Sequence, residues 1–115
     1  MAKRARLSKS IIGKIDTFAQ MVKQQGISIS KVILFGSYAK GRKHADSDID
    51  VAVVSTQFGQ DTVDEMMMLR KIALKVDSRI EPVPLCPEDL DDNLSTLAQE
   101  IKRYGIDVGI TRAAM

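Results

Sequence analysis

Two short aliphatic runs lie so close together in this chain that they restrict how it can fold. Lys31-Val-Ile-Leu-Phe35 is rich in β-branched residues and stops at Gly36, and Asp48 to Val54 is a second such run. Runs of this kind, bounded by glycine and polar residues, read as buried strands. The segment from Gly36 to Asp50 that joins them is too short for a standard βαβ crossover, which carries a whole helix. The two strands are therefore expected to be antiparallel, with room between them for one helical turn over residues 37–42.

The rest of the chain supplies helices to cover such a sheet. Leu7, Ile11, Ile15, Phe18 and Val22 recur at steps of four and three, with Ile12 and Ala19 beside them, and form one apolar helical stripe. Ser8 or Ser10 is expected to cap its start and Gly26 to close it. Gly13 inside this helix costs about 1 kcal/mol relative to alanine, and is read as marking a close packing contact. Thr62-Val-Asp-Glu65 has the pattern of a capping box, opening a helix that buries Met66, Leu69, Ala73 and Val76. Arg79 to Leu85 reads as a third strand whose Pro82 and Pro84 leave one edge free or irregular. A further helix from about Asn93 to Arg103 presents Leu94, Leu97, Ala98 and Ile101, with Gly105 as its stop. Ile106, Val108 and Ile110 alternate in a short extended tail. Strands interleaved with helices in this order predict an α+β fold, a small mixed sheet packed against helices. The chain has 115 residues and is expected to form a single domain over residues 1–115. With 44% hydrophobic residues but only 4% aromatic, its core must be mainly aliphatic, with six methionines as adaptable filler.

Charge and cysteine usage exclude several classes. The formal net charge is +2, yet Lys3, Arg4, Arg6, Lys9, Lys14 and Lys23 face only Asp16 in the first 26 residues. This basic region could meet RNA or an acidic partner, but reads first as a solvated helix face, and direct nucleic-acid binding is not expected. Glu88, Asp89, Asp91 and Asp92 form an acidic segment. Cys86 is the single cysteine, so no disulfide forms within the chain. That suits a reducing compartment, and its setting between Leu85 and Pro87 is that of a structural thiol rather than a nucleophile. No apolar run approaches the roughly 18 residues of a membrane span. The basic start lacks the apolar region of a signal peptide. A cytoplasmic protein with no membrane partner is expected.

The chemistry concentrates between Gly36 and Asp50. Strand residues alternate in direction, so Asp48 and Asp50 share a face with Ala52 and Val54, while Ile49, Val51 and Val53 take the other. Two carboxylates so close repel each other unless a cation or proton lies between them. A hard divalent ion is the natural occupant, and Mg²⁺ is commonly held by one or two carboxylates plus substrate phosphates. Gly36 allows close backbone approach to a ligand. Ser37 stands at the start of the expected helical turn, where free N–H groups and a hydroxyl suit a phosphate oxygen. Alternation groups Arg79, Glu81, Val83 and Leu85, so Glu81 can join the aspartates if its strand lies beside theirs; Arg79 could instead be its ion partner. Lys40, Arg42 and Lys43 are near enough in sequence to touch phosphate, and the competing reading of each is a solvated loop charge. His44, in the same loop, reads as exposed.

Gly36-Ser37, ten intervening residues and Asp48-Ile49-Asp50 resemble the signature of the DNA polymerase β-like nucleotidyltransferase superfamily. With Gly41 and Ser47 also in place, the stretch is similar to its minimal nucleotidyltransferase branch. The resemblance implies a three- or four-stranded mixed sheet. It implies that Gly36 and Ser37 hold the triphosphate of ATP, and that Asp48 and Asp50 bind two Mg²⁺ ions. Glu81 matches the third carboxylate, which would bind the catalytic metal and help deprotonate an acceptor hydroxyl; many members have aspartate there. Lys40 and Arg42 complete the expected nucleotide-binding set. Minimal members pair with a small helical HEPN-type protein, in several cases an RNase toxin on which the nucleotidyltransferase, as antitoxin, adenylylates a tyrosine.

Two further readings compete with this one. The chain could neutralise its partner by occlusion, with a weak or inactive site. It could also be a nucleotide sensor or oligomeric scaffold, for which an exposed Met66-Met67-Met68 face or the Ile106–Ile110 tail would provide an association surface. A homo- or hetero-oligomer is expected on any of these readings.

Overall fold

The computed structural model describes residues 9–41 and 47–109. In chain order its elements are α1 (Lys9–Gln24), β1 (Lys31–Phe35), α2 (Ser37–Lys40), β2 (Ile49–Val54), α3 (Thr62–Val76), β3 (Ile80–Leu85), α4 (Pro87–Leu90), α5 (Thr96–Tyr104) and β4 (Ile106–Asp107). The strands form one sheet of four in the order β3-β2-β1-β4. β1 and β2 are antiparallel, with Lys31 opposite Val54 and Phe35 opposite Asp50. β4 lies antiparallel on the other side of β1. β3 is parallel to β2 and places Glu81 opposite Asp50. The parallel pair has what the antiparallel one lacks, a full crossover helix, α3. This is the mixed α+β architecture expected.

Alternation along β2 divides the molecule into two cores. Ile49, Val51 and Val53 join Ile11, Ile15, Phe18 and Val22 of α1 and Leu69, Ile72 and Ala73 of α3. Ala52 and Val54 lie on the opposite face with Ile33, Phe35 and Ile101, against which Val83, Leu85, Leu90 and Leu97 pack. Asp50 belongs by alternation to this second face. Pro82 and Pro84 are buried on the first face, on a strand that pairs only with β2, so their missing N–H groups cost no ladder bond.

Several local expectations are corrected. Gly13 marks no packing contact, because it is exposed and a Cβ built there meets nothing within 4 Å. Gly13→Ala is therefore expected to stabilise the fold by about 1 kcal/mol. A rise of several degrees in the thermal midpoint would register it. Ser10 lies inside α1 rather than capping it; Leu7, Ser8 and Ile110 fall outside the described residues. The cap of α3 is Asp61, one residue earlier than expected, and its carboxylate accepts the Asp64 N–H at 3.1 Å. Glu65 reaches back to the N–H groups of Gly59, Gln60 and Asp61. Met66 is 38% exposed and Met67 60%, because the buried stripe of α3 runs through Leu69, Ile72 and Ala73. Val76 is half-buried. Ser95 caps α5 by accepting the Ala98 N–H at 3.1 Å, which leaves Leu94 outside the helix and 95% exposed. Gly105 ends α5 in extended conformation, not a left-handed one. It is needed for space, since a Cβ would lie 2.6 Å from Ile33 Cγ2.

A charged network ties these elements together. Asp77, between α3 and β3, accepts from Lys14 Nζ of α1 at 2.7 Å and from Arg79 Nη2 at 2.8 Å. Arg79 Nη1 donates to the hydroxyl of Tyr38 in α2 at 3.3 Å. The Arg79 carbonyl accepts the Ile49 N–H at 2.8 Å, which fixes the start of β2. Lys14 is thus committed to an ion pair rather than to an open basic face. The Arg79 and Lys14 bonds hold the Asp77 carboxyl far below the ordinary aspartate range. A carboxyl depressed on folding contributes stability above its unfolded pKa and loses it as pH falls toward the folded one. Asp77→Ala is thus expected to lower the thermal midpoint at pH 7, with the gap from wild type closing as the pH falls below about 4.

Candidate active site

Gly36 carries the chain out of β1 into α2 at φ 74° and ψ −149°, a conformation open in practice to glycine alone. It is also the point of closest approach between the two halves of the site. A Cβ at Gly36 would lie 2.1 Å from Asp50 Oδ2. The Gly36 carbonyl accepts the Lys40 N–H at 3.1 Å, closing one helical turn. Ser37 is the first residue of that turn and is exposed. Asp48 is exposed just before β2, Asp50 is half-buried within it, and Glu81 sits directly across the ladder. Gly36, Ser37, Asp48, Asp50 and Glu81 thus gather at one end of the sheet, on the second face.

The electrostatics are those of an anionic cluster whose outer members, Glu81 and Glu100, are met by Arg70 and Lys40. Burial first, then the neighbouring carboxylates of Asp48, Glu81 and Glu100, raise the Asp50 pKa above the ordinary aspartate value. Glu100 was not a sequence candidate. Its signal lay in α5, where it stands three residues after Leu97 and one before Ile101, both packed on the aspartate-bearing face. Lys40 turns toward that helix: its Nζ is 3.7 Å from Glu100 Oε2 and 5.0 Å from the centre of the Tyr104 ring. Arg42, with Lys43 and His44, falls outside the described residues.

Glu81 does not pair with Arg79, the partner considered from sequence. Arg79 is taken by Asp77 and Tyr38. The ion partner of Glu81 is Arg70 of α3, with Nη1 2.7 Å from Glu81 Oε2 and 3.2 Å from the Ile80 carbonyl. Nothing in the sequence spacing marked Arg70. With the Glu81 carboxylate held there, no three His, Cys, Asp or Glu side chains converge to hold a metal among the described residues. The donors themselves are hard oxygens. Two aspartates beside the Gly36–Ser37 turn are a set that suits Mg²⁺, which keeps several waters and shares substrate phosphates.

Cys86 fits its structural reading. Burial, followed by hydrogen bonds to Glu88 and Asp89, pushes the thiol upward, away from the reactive thiolate. Its N–H donates to Asp89 Oδ2 at 2.9 Å at the start of α4. Among the described residues no helix is long and apolar enough to cross a membrane.

This arrangement has counterparts. The model of the family described as "Nucleotidyltransferase domain" matches residues 15–107. MJ1305 of Methanocaldococcus jannaschii, named as a protein adenylyltransferase, is 36% identical over 81 residues, covering 66% of this chain and 55% of that protein. The protein adenylyltransferase MntA of Shewanella oneidensis is 34% identical over 77 residues, covering 64% of this chain and 49% of MntA. The chain thus spans about half the length of these two relatives. MJ0141 of M. jannaschii, also named as a protein adenylyltransferase, is 32% identical over 84 residues, 70% of this chain and 79% of that protein. Among solved structures, a toxin–antitoxin complex with AMP-PNP aligns at a TM-score of 0.62 and 26% identity, covering 90% of this chain and 76% of the other. A nucleotidyltransferase-type structure from Sulfolobus solfataricus shares the fold at a TM-score of 0.62 and 17% identity, over 89% and 88% of the two chains.

Proposed function

We propose, because this chain belongs to the nucleotidyltransferase domain family, that it transfers AMP from ATP to a protein hydroxyl. The acceptor we favour is a tyrosine of a HEPN-type toxin, with this chain as the antitoxin. The observation that carries this reading is the packing of the Gly36 backbone against the Asp50 carboxylate, with Glu81 across the ladder. A triphosphate seated on the Gly36-Ser37 turn has its negative oxygens beside the carboxylate cluster, an approach that only a shared cation makes favourable. Asp48 and Asp50, with Glu81 as a third ligand, would hold two Mg²⁺ ions, which when bound lower the pKa of an acceptor hydroxyl and offset charge on the phosphates. Gly36, having no side chain, lets its backbone lie against the Asp50 carboxylate, and Ser37 offers its hydroxyl and N–H to the phosphate.

In the reaction the acceptor oxygen forms a bond to the α-phosphorus as the bond to the β-phosphate oxygen breaks. Pyrophosphate leaves, and the hydroxyl proton passes to a carboxylate or to water. Glu81, directly across the ladder from Asp50, is the carboxylate we assign to help remove that proton. The relatives' names support transfer of AMP to a protein, and the toxin–antitoxin complex with AMP-PNP supports an adenine nucleotide and a toxin partner. A second reading, inhibition by occlusion, draws on the exposed Val63, Met67 and Leu74 of α3, at 68%, 60% and 55% exposure.

Incubation with Mg²⁺, α-labelled ATP and the product of the adjacent reading frame, as the candidate partner, separates the two. Label on the partner, lost in Asp48→Asn and Asp50→Asn, is the expected result. Partner inhibition that survives both substitutions, without label, would replace transfer by occlusion.

A further inference from the structure

We propose that Arg70 is a positioning residue that holds Glu81 off the aspartates in the metal-free chain and so sets how tightly a divalent cation binds. The inference rests on the nucleotidyltransferase reading of the site and adds to it a residue outside the signature. The backbone of Glu81 is fixed by its register opposite Asp50, so only its side chain decides whether its carboxylate joins them. That side chain is engaged elsewhere, with Oε2 2.7 Å from Arg70 Nη1. The guanidinium is itself anchored, since Nη1 also donates to the Ile80 carbonyl at 3.2 Å, on the residue just before Glu81. Arg70 comes from the middle of α3, whose flanking residues Leu69 and Ile72 are buried in the core, so its origin is fixed as well. The latch is therefore built on two rigid elements, and its only mobile parts are the two side chains.

A guanidinium and a metal ion compete for the same carboxylate. The pair is accessible, with Arg70 41% and Glu81 42% exposed, and exposed ion pairs are weak enough to exchange readily. Glu81 already acts on Asp50 through space, as do Asp48 and Glu100, and its release from Arg70 frees that carboxylate to ligate. A cation entering the cluster is thus favoured by four acidic groups, Asp48, Asp50, Glu81 and Glu100, but must first displace one positive charge.

The test is the dissociation constant of Mn²⁺ alone, measured calorimetrically and by the loss of the free-ion paramagnetic signal. The proteins compared are wild type, Arg70→Gln, Arg70→Lys, Glu81→Gln and the Arg70→Gln/Glu81→Gln double variant. Arg70→Gln is expected to tighten Mn²⁺ binding by about two- to fivefold, the upper part of the range set by an exposed ion pair. In the Glu81→Gln background the same substitution should change it less than about twofold, as a coupled pair requires. Arg70→Lys, which keeps the charge, should stay near wild type and guards against a folding failure of the glutamine variant. Binding that is unmoved or weakened in Arg70→Gln overturns the latch, as does an equal shift in both backgrounds, which would be long-range charge alone. Absence of Mn²⁺ binding by the wild-type chain overturns the proposed function itself, and the latch with it.

Discussion

Asp50→Asn is expected to abolish AMP transfer, lowering the rate by at least about a hundredfold, the scale of losing one charge-stabilising group in an active site. The same substitution should raise the thermal midpoint of the metal-free chain. These opposite signs have one cause. Burial and the charges of Asp48, Glu81 and Glu100 raise the Asp50 pKa on folding. A carboxyl with a raised folded pKa costs stability while ionised, and the cost fades as pH falls through the folded pKa. Asparagine keeps the shape and removes the repelled charge, so the gain should be present at pH 7 and shrink in acid. Addition of Mg²⁺ should then raise the midpoint of wild type, by linkage to binding, and leave Asp50→Asn nearly unmoved. Differential scanning fluorimetry with and without Mg²⁺ reads all of this without the partner. A variant that loses both transfer and stability would mean that Asp50 is a structural residue.

Much of this site was legible before any coordinates. The antiparallel strand pair around Gly36–Asp50 follows from the length of one connection, whereas the placing of the Glu81 strand beside it is only a condition in the sequence that the register fulfils. A connection length is a local pattern, and a single sequence carries it. What it did not carry was side-chain choice between elements. Arg70 takes Glu81 and Arg79 takes Asp77, although Arg79 is the nearer of the two to Glu81 in sequence. That decision depends on where α3 lies across β3, a tertiary matter with no spacing signature. The errors in α3 and α5 are of a different kind. Asp61 and Ser95 outcompeted the expected starts because their carboxylate and hydroxyl each reach the N–H three residues on, and a shift of cap moves Leu94 out of its helix. Met66 shows the limit of apolar periodicity on a half-covered helix: the sheet leaves space for Leu69, Ile72 and Ala73, and the next stripe faces outward.

The glycine that opens the motif should be the least replaceable residue of the fold as well as of the site. Gly36→Ala faces two separate penalties. At φ 74° and ψ −149° any side chain is strained, at a cost of about 1–3 kcal/mol. The new Cβ would also lie 2.1 Å from Asp50 Oδ2 and 3.0 Å from Cγ, so either the carboxylate or the turn must move. For a domain of about this size each lost kilocalorie lowers the thermal midpoint by roughly 4–8 °C. Transfer should fall further than stability, because the displaced group is the aspartate proposed to hold the metal. A double-mutant cycle separates the two penalties. In an Asp50→Ala background the collision with the carboxylate is gone and only the backbone strain and a 3.2 Å approach to the residue 50 Cβ remain, so Gly36→Ala should cost less there than in wild type. Equal costs in both backgrounds would mean that the glycine serves the turn alone. A smaller cost with Asp50 truncated would place the coupling between the phosphate turn and the carboxylate pair in one atom-to-atom contact, Gly36 against Asp50.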